Sequence, residues 1–253
     1  MTKDSLATRM KDYESISKNF LIRKRPVIVR LDGKAFHTFT RGFKKPFDDV
    51  IIYTMQETMR YLCKNIQGCV LGYTQSDEIT LILCDYQKPN TDAWFGYSVQ
   101  KITSVAASLA TFAFNKIFND HVSLHYEPVS PYRKAAEQGA IFDARAFNLP
   151  IEEVNNLLVW RQQDAIRNSV QALSQSLFSH RELQGKSCDE LKEKMFVEKD
   201  VDWYSISSVK KYGACCIKKT NIKLKQEWEI DYTIPIFHQN PNYVNNLITF
   251  ENN

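Results

Sequence analysis

Hydrophobic residues recur along the chain in two spacings, and together these predict a mixed order of strands and helices. The basic residues 5–25 predict a first helix. Short β-branched runs predict four strands, at residues 27–31, 69–74, 79–84 and 140–144. Apolar positions at helical spacing predict three longer helices, at residues 49–66, 94–118 and from Pro150 to about 179. Residues 75–78 are expected to form a hairpin turn, and the stretch with Pro128 and Pro131 a loop.

The predicted order over residues 26–147 is strand, helix, strand, strand, helix, strand. That order is typical of the split βαβ arrangement, so we expect an α+β protein with a ferredoxin-like βαββαβ palm domain. With the N-terminal helix and the helix after the last strand, this palm would form one domain over residues 1–180. Residues 181–253 are expected to pack on it as a basic and aromatic extension, exposed over residues 181–202.

The composition is that of a globular protein. The chain has 253 residues, of which 43% are hydrophobic and 25% charged, and this excludes a chain too polar to form a core. No apolar run of about 18 residues occurs, so we expect no membrane span. The N-terminus leads into no apolar segment, and the six cysteines form no Cys-x-x-Cys pair. We therefore expect no signal peptide, and reduced thiols in a cytoplasmic protein.

Positive charge is concentrated in two segments, although the net charge is only +4. Residues 1–45 hold 12 Lys and Arg against 4 Asp and Glu. Residues 203–225 hold no acidic residue and six lysines, at positions 210, 211, 218, 219, 223 and 225. Segregated positive charge suits a phosphate-rich partner, and two solvated basic faces are the alternative interpretation.

Two aspartates are candidates for a metal site. Asp32 follows the first predicted strand, and Asp77 lies in the turn between the second and third. In a split βαβ sheet such positions lie at neighbouring strand ends, so the two carboxylates and the carbonyl of Gly33 could share Mg²⁺. Two ions there would activate a hydroxyl and stabilise a leaving pyrophosphate. The alternative is that both aspartates are ordinary turn residues.

Residues 33–46 form a basic loop beside Asp32. Its donors could hold a triphosphate, and they are Lys34, His37, Arg41, Lys44 and Lys45. The alternative is a solvated loop whose phenylalanines fill the core.

Other motifs do not indicate a site. Gly185-Lys186-Ser187 lacks the earlier glycine of a P-loop, and His121 and His125 lack the glutamate of a zinc protease helix. No Gly-x-Ser-x-Gly occurs, so a serine hydrolase has no support.

Five segments together resemble the tRNA-His guanylyltransferase family. Residues 30–37 are similar to its metal and triphosphate segment, and residues 43–46 to the Phe-x-Lys-Pro that follows. Residues 73–78 are similar to its second carboxylate signature. Two more segments continue the match in order, Phe142-Asp143-Ala144-Arg145 and Trp160-Arg161-Gln162-Gln163-Asp164. The similarity covers about residues 1–180 and is weak beyond them.

The resemblance implies a palm fold shared with polymerases and nucleotide cyclases, and nucleotide addition to the 5′ end of tRNA. It implies that Asp32, the carbonyl of Gly33 and Asp77 bind two Mg²⁺ ions, and that Lys45 contacts triphosphate. The implied nucleotide-binding residues are Asp32, Gly33, Lys34, Ala35, Phe36, His37, Ser76 and Asp77. In the family, ATP or GTP activates a 5′-monophosphate, and the 3′ hydroxyl of the incoming nucleotide then attacks it. The family also implies a homotetramer.

The segment after Asp164 differs from the eukaryotic pattern and restricts the resemblance to one branch of the family. The eukaryotic enzymes continue Trp-Arg-Gln-x-Asp with Cys-His-Ile-Asn-Asn, whereas this chain has Ala165-Ile166-Arg167-Asn168-Ser169. The chain therefore resembles the bacterial and archaeal Thg1-like branch, 3′–5′ polymerases that restore missing 5′ nucleotides of tRNA. Candidate tRNA-binding residues are Arg23, Arg25, Arg161, Asn168, Lys210, Lys211, Lys218 and Lys219.

The expected function is thus Mg²⁺-dependent, template-directed 3′–5′ nucleotide addition to tRNA, which repairs or extends its 5′ end. One alternative is a strict tRNA-His guanylyltransferase that adds a single G. Others are a palm-type nucleotide cyclase or second-messenger synthase, and a tRNA-binding protein without activity. The sequence leaves three roles open for Glu78, which are a further metal ligand, a group that supports the ligands, and a turn residue.

Overall fold

A computed structural model describes residues 5–87, 90–220 and 225–249. Lys223, one of the six lysines of the second basic segment, lies outside the described residues. The strands are β1 (Val27–Gly33), β2 (Cys69–Gln75), β3 (Glu78–Leu83), β4 (Phe142–Asn148), β5 (Ala214–Thr220) and β6 (Gln226–Asp231). The helices up to β4 are α1 (Leu6–Ser15), α2 (Phe36–Phe39), α3 (Asp49–Asn65), α4 (Val99–His125) and α5 (Pro131–Gln138). The later helices are α6 (Val154–Leu177), α7 (His180–Leu183), α8 (Cys188–Lys199), α9 (Ser208–Tyr212) and α10 (Asn242–Ile248).

All six strands form one antiparallel sheet in the order β4-β1-β3-β2-β5-β6. The protein is therefore of the mixed α+β class. In this register Asp32 of β1 lies opposite Glu78 of β3 on one side and opposite Asp143 of β4 on the other. Side chains of cross-strand partners point to the same face of a sheet. The carboxylates of Asp32, Glu78 and Asp143 therefore share one face, at one end of these three strands.

The sheet separates two hydrophobic cores. Val27, Val29 and Leu31 alternate toward α3 and α4, and all three are fully buried. Ile28, between them, faces the opposite core, to which α6 and α10 contribute. Because aliphatic residues on both faces of β1 are sealed from water, each stabilises the fold by roughly 1.5–3 kcal/mol. Strand β1, which carries Asp32, is thus held in place by packing on both faces.

The N-terminal helix is shorter than the predicted helix over residues 5–25, which is a correction. Helix α1 ends at Ser15. Beyond it, the chain makes tertiary contacts instead: the N–H of Leu21 donates to the carbonyl of Tyr97 at 3.0 Å, and the N–H of Val99 to that of Asn19 at 2.9 Å. These contacts, and the positive φ of Lys24, override the local helical pattern.

Two segments expected to be irregular or exposed are helical. Pro131 does not end structure but occupies the first turn of α5, where its missing N–H costs nothing. Residues 181–202 contain α8, which Ser187 and Glu190 start with a reciprocal capping box. This helix buries Leu191 and Met195 against the C-terminal half of α6. The stretch is otherwise mostly exposed, as expected, but these two side chains anchor it to α6.

The C-terminal segment also extends the sheet, because β5 pairs with β2 and β6 pairs with β5. All six cysteines carry free thiols. Among the residues that the structure describes, no helix is both long and apolar enough to cross a bilayer.

Candidate active site

Asp32 and Asp77 lie side by side at one end of the sheet. Asp32 is next to last in β1, and Asp77 occupies the turn between β2 and β3. The N–H of Gly33 donates to the carbonyl of Asp77 at 3.1 Å, so a main-chain hydrogen bond holds the turn against the end of β1. The structure thus brings together Asp32, Gly33 and Asp77, as the sequence predicts.

The site carries excess negative charge. Burial raises the pKa of Asp32, and the neighbouring carboxylates of Asp77, Glu78 and Asp143 raise it further. Burial also raises the pKa of Asp77, against the opposing effect of the Ser76 hydroxyl, which donates to its carboxylate at 3.0 Å. Arg145 opposes these effects on Asp32, but the carboxylates together outweigh it, because like charges held close together disfavour ionisation. Such a set attracts a cation.

The donor set fits Mg²⁺. Among the described residues, no cluster of three or more His, Cys, Asp or Glu side chains could hold a metal on its own. Two carboxylates and a backbone carbonyl are nevertheless what Mg²⁺ commonly takes from a protein, since it fills its remaining positions with water and substrate phosphates. The pair Asp32 and Asp77 therefore suits an ion that arrives with a nucleotide.

Glu78 is not available to such an ion. Its carboxylate accepts from Nη2 of Arg30 at 2.7 Å and from Nη1 of Arg161 at 3.0 Å. Arg161 is only 5% exposed and also contacts Asp164 at 3.4 Å. The predicted role of Arg161 in tRNA binding is corrected accordingly, because its guanidinium is committed inside the protein.

The loop after β1 is anchored by one aromatic residue. Phe36 is buried, and its ring packs 5.3 Å from that of Phe114 and 5.6 Å from that of Phe142. A side chain at Gly33 would overlap this ring, so only glycine fits there. The side chains of Lys34, Ala35 and His37 are exposed around this anchor. Phe36 therefore shapes the site from the core side.

A cleft of about 420 Å³ is lined by Asp77 and by Gly33, the residue that follows Asp32. Its lining contains six of the eight residues listed above as nucleotide-binding and two others, and comprises Gly33, Ala35, Phe36, His37, Thr40, Ile51, Ser76 and Asp77. Thr40 and Ile51 were missed, because nothing in their residue types distinguishes them from packing residues. This cleft is the candidate nucleotide site.

A second cleft of about 250 Å³ adjoins the first and shares Thr40, Ile51 and Ser76 with it. Lys45, Asn168 and Lys210 line it, from three distant parts of the sequence. Lys210 is held there by Asp49, whose carboxylate lies 2.8 Å from its ammonium. The structure thus unites the predicted triphosphate contact with two of the predicted tRNA contacts.

The segment that carries Lys45 is itself braced. Phe43 stacks on Tyr132 with ring centroids 4.2 Å apart, and the hydroxyl of Tyr132 donates to Asp48 at 2.6 Å. Asp48 also caps the start of α3 through the N–H of Val50. The exposed lysines of this loop therefore project from a fixed base.

Four other predicted tRNA contacts lie away from both clefts. Arg23 pairs with Asp85 at 2.6 Å, beyond the end of β3 opposite to Glu78, and Arg25 follows it in the chain. Lys218 and Lys219 are exposed on β5.

Lys211 is corrected, like Arg161. It is buried, burial lowers its pKa, and its ammonium donates to the carbonyl of Tyr204 at 2.7 Å. An ammonium held inside the protein cannot reach a phosphate on the surface, so Lys211 does not belong to the candidate tRNA surface.

Comparison with known proteins gives a consistent result. The family model described as tRNAHis guanylyltransferase, Thg1, matches residues 7–150. An uncharacterized protein of Acanthamoeba polyphaga mimivirus is 30% identical over 87% of this chain and 79% of its own length. A probable tRNA(His) guanylyltransferase of Dictyostelium discoideum is 26% identical over 76% of this chain and 75% of its own.

Solved structures agree. A bacterial tRNA(His) guanylyltransferase (Thg1)-like protein in complex with ATP superposes with a TM-score of 0.87 and 36% identity, over 98% of this chain and all of that one. A bacterial protein of the same description in complex with GTP has a TM-score of 0.82 and 36% identity, over 96% and 99% of the two chains. The chain therefore belongs to the tRNAHis guanylyltransferase (Thg1) family, whose members are nucleotidyltransferases with tRNA and nucleoside triphosphates as partners.

Proposed function

We propose that this chain is a template-directed 3′–5′ nucleotidyltransferase that restores missing nucleotides at the 5′ end of tRNA. The observation that carries the proposal is the convergence of Asp32 and Asp77 beside a cleft with a basic neighbour. A protein that only bound tRNA would gain nothing from two crowded carboxylates facing an anionic ligand, and this argues for catalysis.

Asp32, Asp77 and the carbonyl of Gly33 would hold two Mg²⁺ ions. Bound there, Mg²⁺ supplies charge neutralisation for a leaving pyrophosphate and a lower pKa for a 3′ hydroxyl. His37 lines the nucleotide cleft, Lys34 is exposed next to its lining residue Gly33, and Lys45 lines the second cleft, so all three are proposed to donate to a triphosphate. The hydroxyl of Ser76 orients the carboxylate of Asp77.

Two reaction steps would use this arrangement. In the first, the 5′-monophosphate of tRNA attacks the α-phosphorus of ATP or GTP, and pyrophosphate leaves. In the second, the 3′ hydroxyl of the incoming nucleotide loses its proton and attacks the activated 5′ phosphorus, and the activating nucleoside monophosphate leaves. The protein positions both anions, and this lowers the barrier through orientation and charge stabilisation.

The strand order supports the palm assignment. The first four strands run β4-β1-β3-β2, with α3 between β1 and β2 and α4 between β3 and β4. This is the arrangement expected of a split βαβ unit. The division at residue 180, the homotetramer and the cytoplasmic location stay predictions, and the assembly is testable by light scattering.

Repair of several tRNAs is favoured over strict addition of one G to tRNA-His. Helix α6 presents Asn168 to the second cleft, but position 166 is isoleucine where the eukaryotic pattern has histidine. The chain also aligns with almost the full length of the bacterial Thg1-like proteins at 36% identity.

A paired extension assay tests the proposal. One substrate is a tRNA that lacks its first 5′ nucleotide, and the other is full-length tRNA-His, each with Mg²⁺ and all four nucleoside triphosphates. We expect growth of the truncated tRNA by the nucleotide complementary to the acceptor strand, and none with Asp77→Ala.

Each other outcome rejects the repair function. Growth mainly of full-length tRNA-His by G would identify a strict guanylyltransferase. Binding of tRNA without growth of either substrate would identify a binding protein, and cyclisation of a triphosphate without RNA would identify a cyclase.

A further inference from the structure

Helix α6 displays a tryptophan at the surface next to the catalytic strands. Trp160 is 51% exposed, whereas Trp94 and Trp203 are 7% and 3% exposed. An isolated exposed aromatic residue is common, so exposure alone has little meaning. The charged residues around Trp160 are what indicate a function for its exposed ring.

Two arginines hold the Trp160 ring in place. The guanidinium of Arg161 lies 3.5 Å from the ring centroid, and that of Arg30 lies 5.2 Å from it. Both guanidiniums are in turn fixed by Glu78, the residue that follows Asp77. The ring is therefore anchored through a rigid ionic cluster to the turn that carries a catalytic aspartate.

The ring is also close to β1. Arg30 precedes Asp32 by two residues on the same strand, so their side chains share a face. Arg145 of β4 lies opposite Arg30 on that face, where it pairs with Asp143 at 3.4 Å, and its side chain is more than half exposed. Trp160 lines neither of the two clefts, so a nucleotide bound in them would leave it uncovered.

We propose that Trp160 is a stacking platform for an unpaired nucleobase of the RNA, which it holds beside Asp32 and Asp77. A fixed aromatic ring amid cationic side chains is the combination that binds single-stranded bases. The base we assign is the one left unpaired opposite the missing 5′ nucleotide. This inference rests on the proposed function, since it names which part of the RNA that same site holds.

Tryptophan fluorescence tests the contact directly. The probes are an acceptor-stem minihelix that lacks its first 5′ nucleotide, the intact minihelix, and ATP alone. We expect stronger quenching by the truncated minihelix than by the intact one, and loss of this difference in Trp160→Phe. The matched control is Trp228→Phe, because Trp228 is partly exposed and also has a cation over its ring, Lys218 at 5.2 Å.

Comparison of the minihelices with ATP shows whether the stacked base belongs to the RNA or to the free nucleotide. A response of Trp160 to ATP alone would assign the platform to the free nucleotide and overturn the RNA assignment. An unchanged difference in Trp160→Phe, or its loss in Trp228→Phe only, would overturn the platform itself.

Kinetics give a second measurement. Trp160→Leu keeps an apolar contact for Arg161 but has no ring face, so we expect KM for the truncated minihelix to rise about 5- to 100-fold. KM for the nucleoside triphosphate should stay unchanged, and Trp160→Phe should retain most of the RNA affinity. Equal effects on both substrates would indicate a structural role only. Quenching needs no turnover, so it tests the platform even if no extension activity is found.

Discussion

Asp32 is the residue at which stability and the proposed activity conflict. Its side chain shares a sheet face with Glu78 and Asp143, and its pKa is raised by burial and by these carboxylates. The neutral carboxyl is thus favoured in the fold. Its contribution to stability is complete below the unfolded-state pKa, about 3.9, and is lost as pH rises through the raised pKa.

We expect Asp32→Asn to abolish nucleotide addition and yet to raise thermal stability in the absence of Mg²⁺. The gain should be near zero at about pH 4 and should reach at most about 1 kcal/mol near pH 7.5, because the carboxylate is partly screened by solvent. Melting curves at both pH values, with and without Mg²⁺, measure it. A variant that melts below the wild type at pH 7.5 would contradict the charge argument.

Gly33 is constrained by one neighbour. A Cβ at this position would overlap the ring of Phe36. We expect Gly33→Ala to destabilise the fold by about 1–3 kcal/mol and to lower activity further than stability alone explains. Chemical denaturation and the extension assay measure both. The second change Phe36→Leu should recover part of the stability, and an absence of recovery would show that the ring is not the cause.

Among the elements, the β2–β3 hairpin is the one that the ionic cluster secures to α6. Glu78 joins Arg30 of β1 to Arg161 of α6, and Arg161 contributes a buried Nε that has no hydrogen-bond partner in the described residues. A buried charge pair contributes little net stability, but loss of one partner leaves the other uncompensated. The cluster therefore orients the hairpin more than it strengthens the fold.

We expect Glu78→Gln to lower the free energy of unfolding by about 3–5 kcal/mol and to leave the Mg²⁺ concentration for half-maximal activity nearly unchanged. Arg161→Met removes the other partner and serves as the matched variant. If Glu78→Gln instead keeps its stability and raises the Mg²⁺ requirement, Glu78 is a metal ligand.

Local signals predict an element well where its own hydrophobic periodicity coincides with the face that packs in the fold. The periodicity of residues 49–66 located α3 because its apolar face is also its packing face. The helix expected to continue to residue 25 ends early because Asn19 and Leu21 form hydrogen bonds with Val99 and Tyr97. No local pattern encodes these contacts. The start of α8 could have been predicted, because Ser187 and Glu190 have the three-residue spacing of a capping box.

At the scale of the molecule, the last third of the chain completes the surface around the site. Strands β5 and β6 extend the sheet beyond β2, and α9 places Lys210 in the second cleft. The sequence predicted the pairing of Asp32 and Asp77 because both follow short strands in a recognisable order. The proximity of Lys45, Asn168 and Lys210 was not predictable, because it depends on how three remote elements pack.

Lys218 and Lys219 are exposed on β5, away from both clefts. If both contact tRNA phosphates, neutralising them to Ala should flatten the slope of log affinity against log salt by about 1–2. The measurement is tRNA binding over a salt series. Lys194→Ala is the control, because Lys194 is already paired with Glu198 at 2.6 Å. An unchanged slope in the double variant would exclude this face from the tRNA site.

The hydrogen bond from the Gly33 amide to the Asp77 carbonyl has a consequence for how the site opens. Asp32 is paired within β1, and Asp77 lies in the two-residue turn that this hydrogen bond holds against the end of that strand, so neither proposed catalytic aspartate lies on a long loop. Local fluctuation can release the rims of the clefts, but separation of the aspartates requires the sheet to open. The site and the sheet therefore belong to one cooperative unit, and the two proposed catalytic aspartates separate only when the fold is lost.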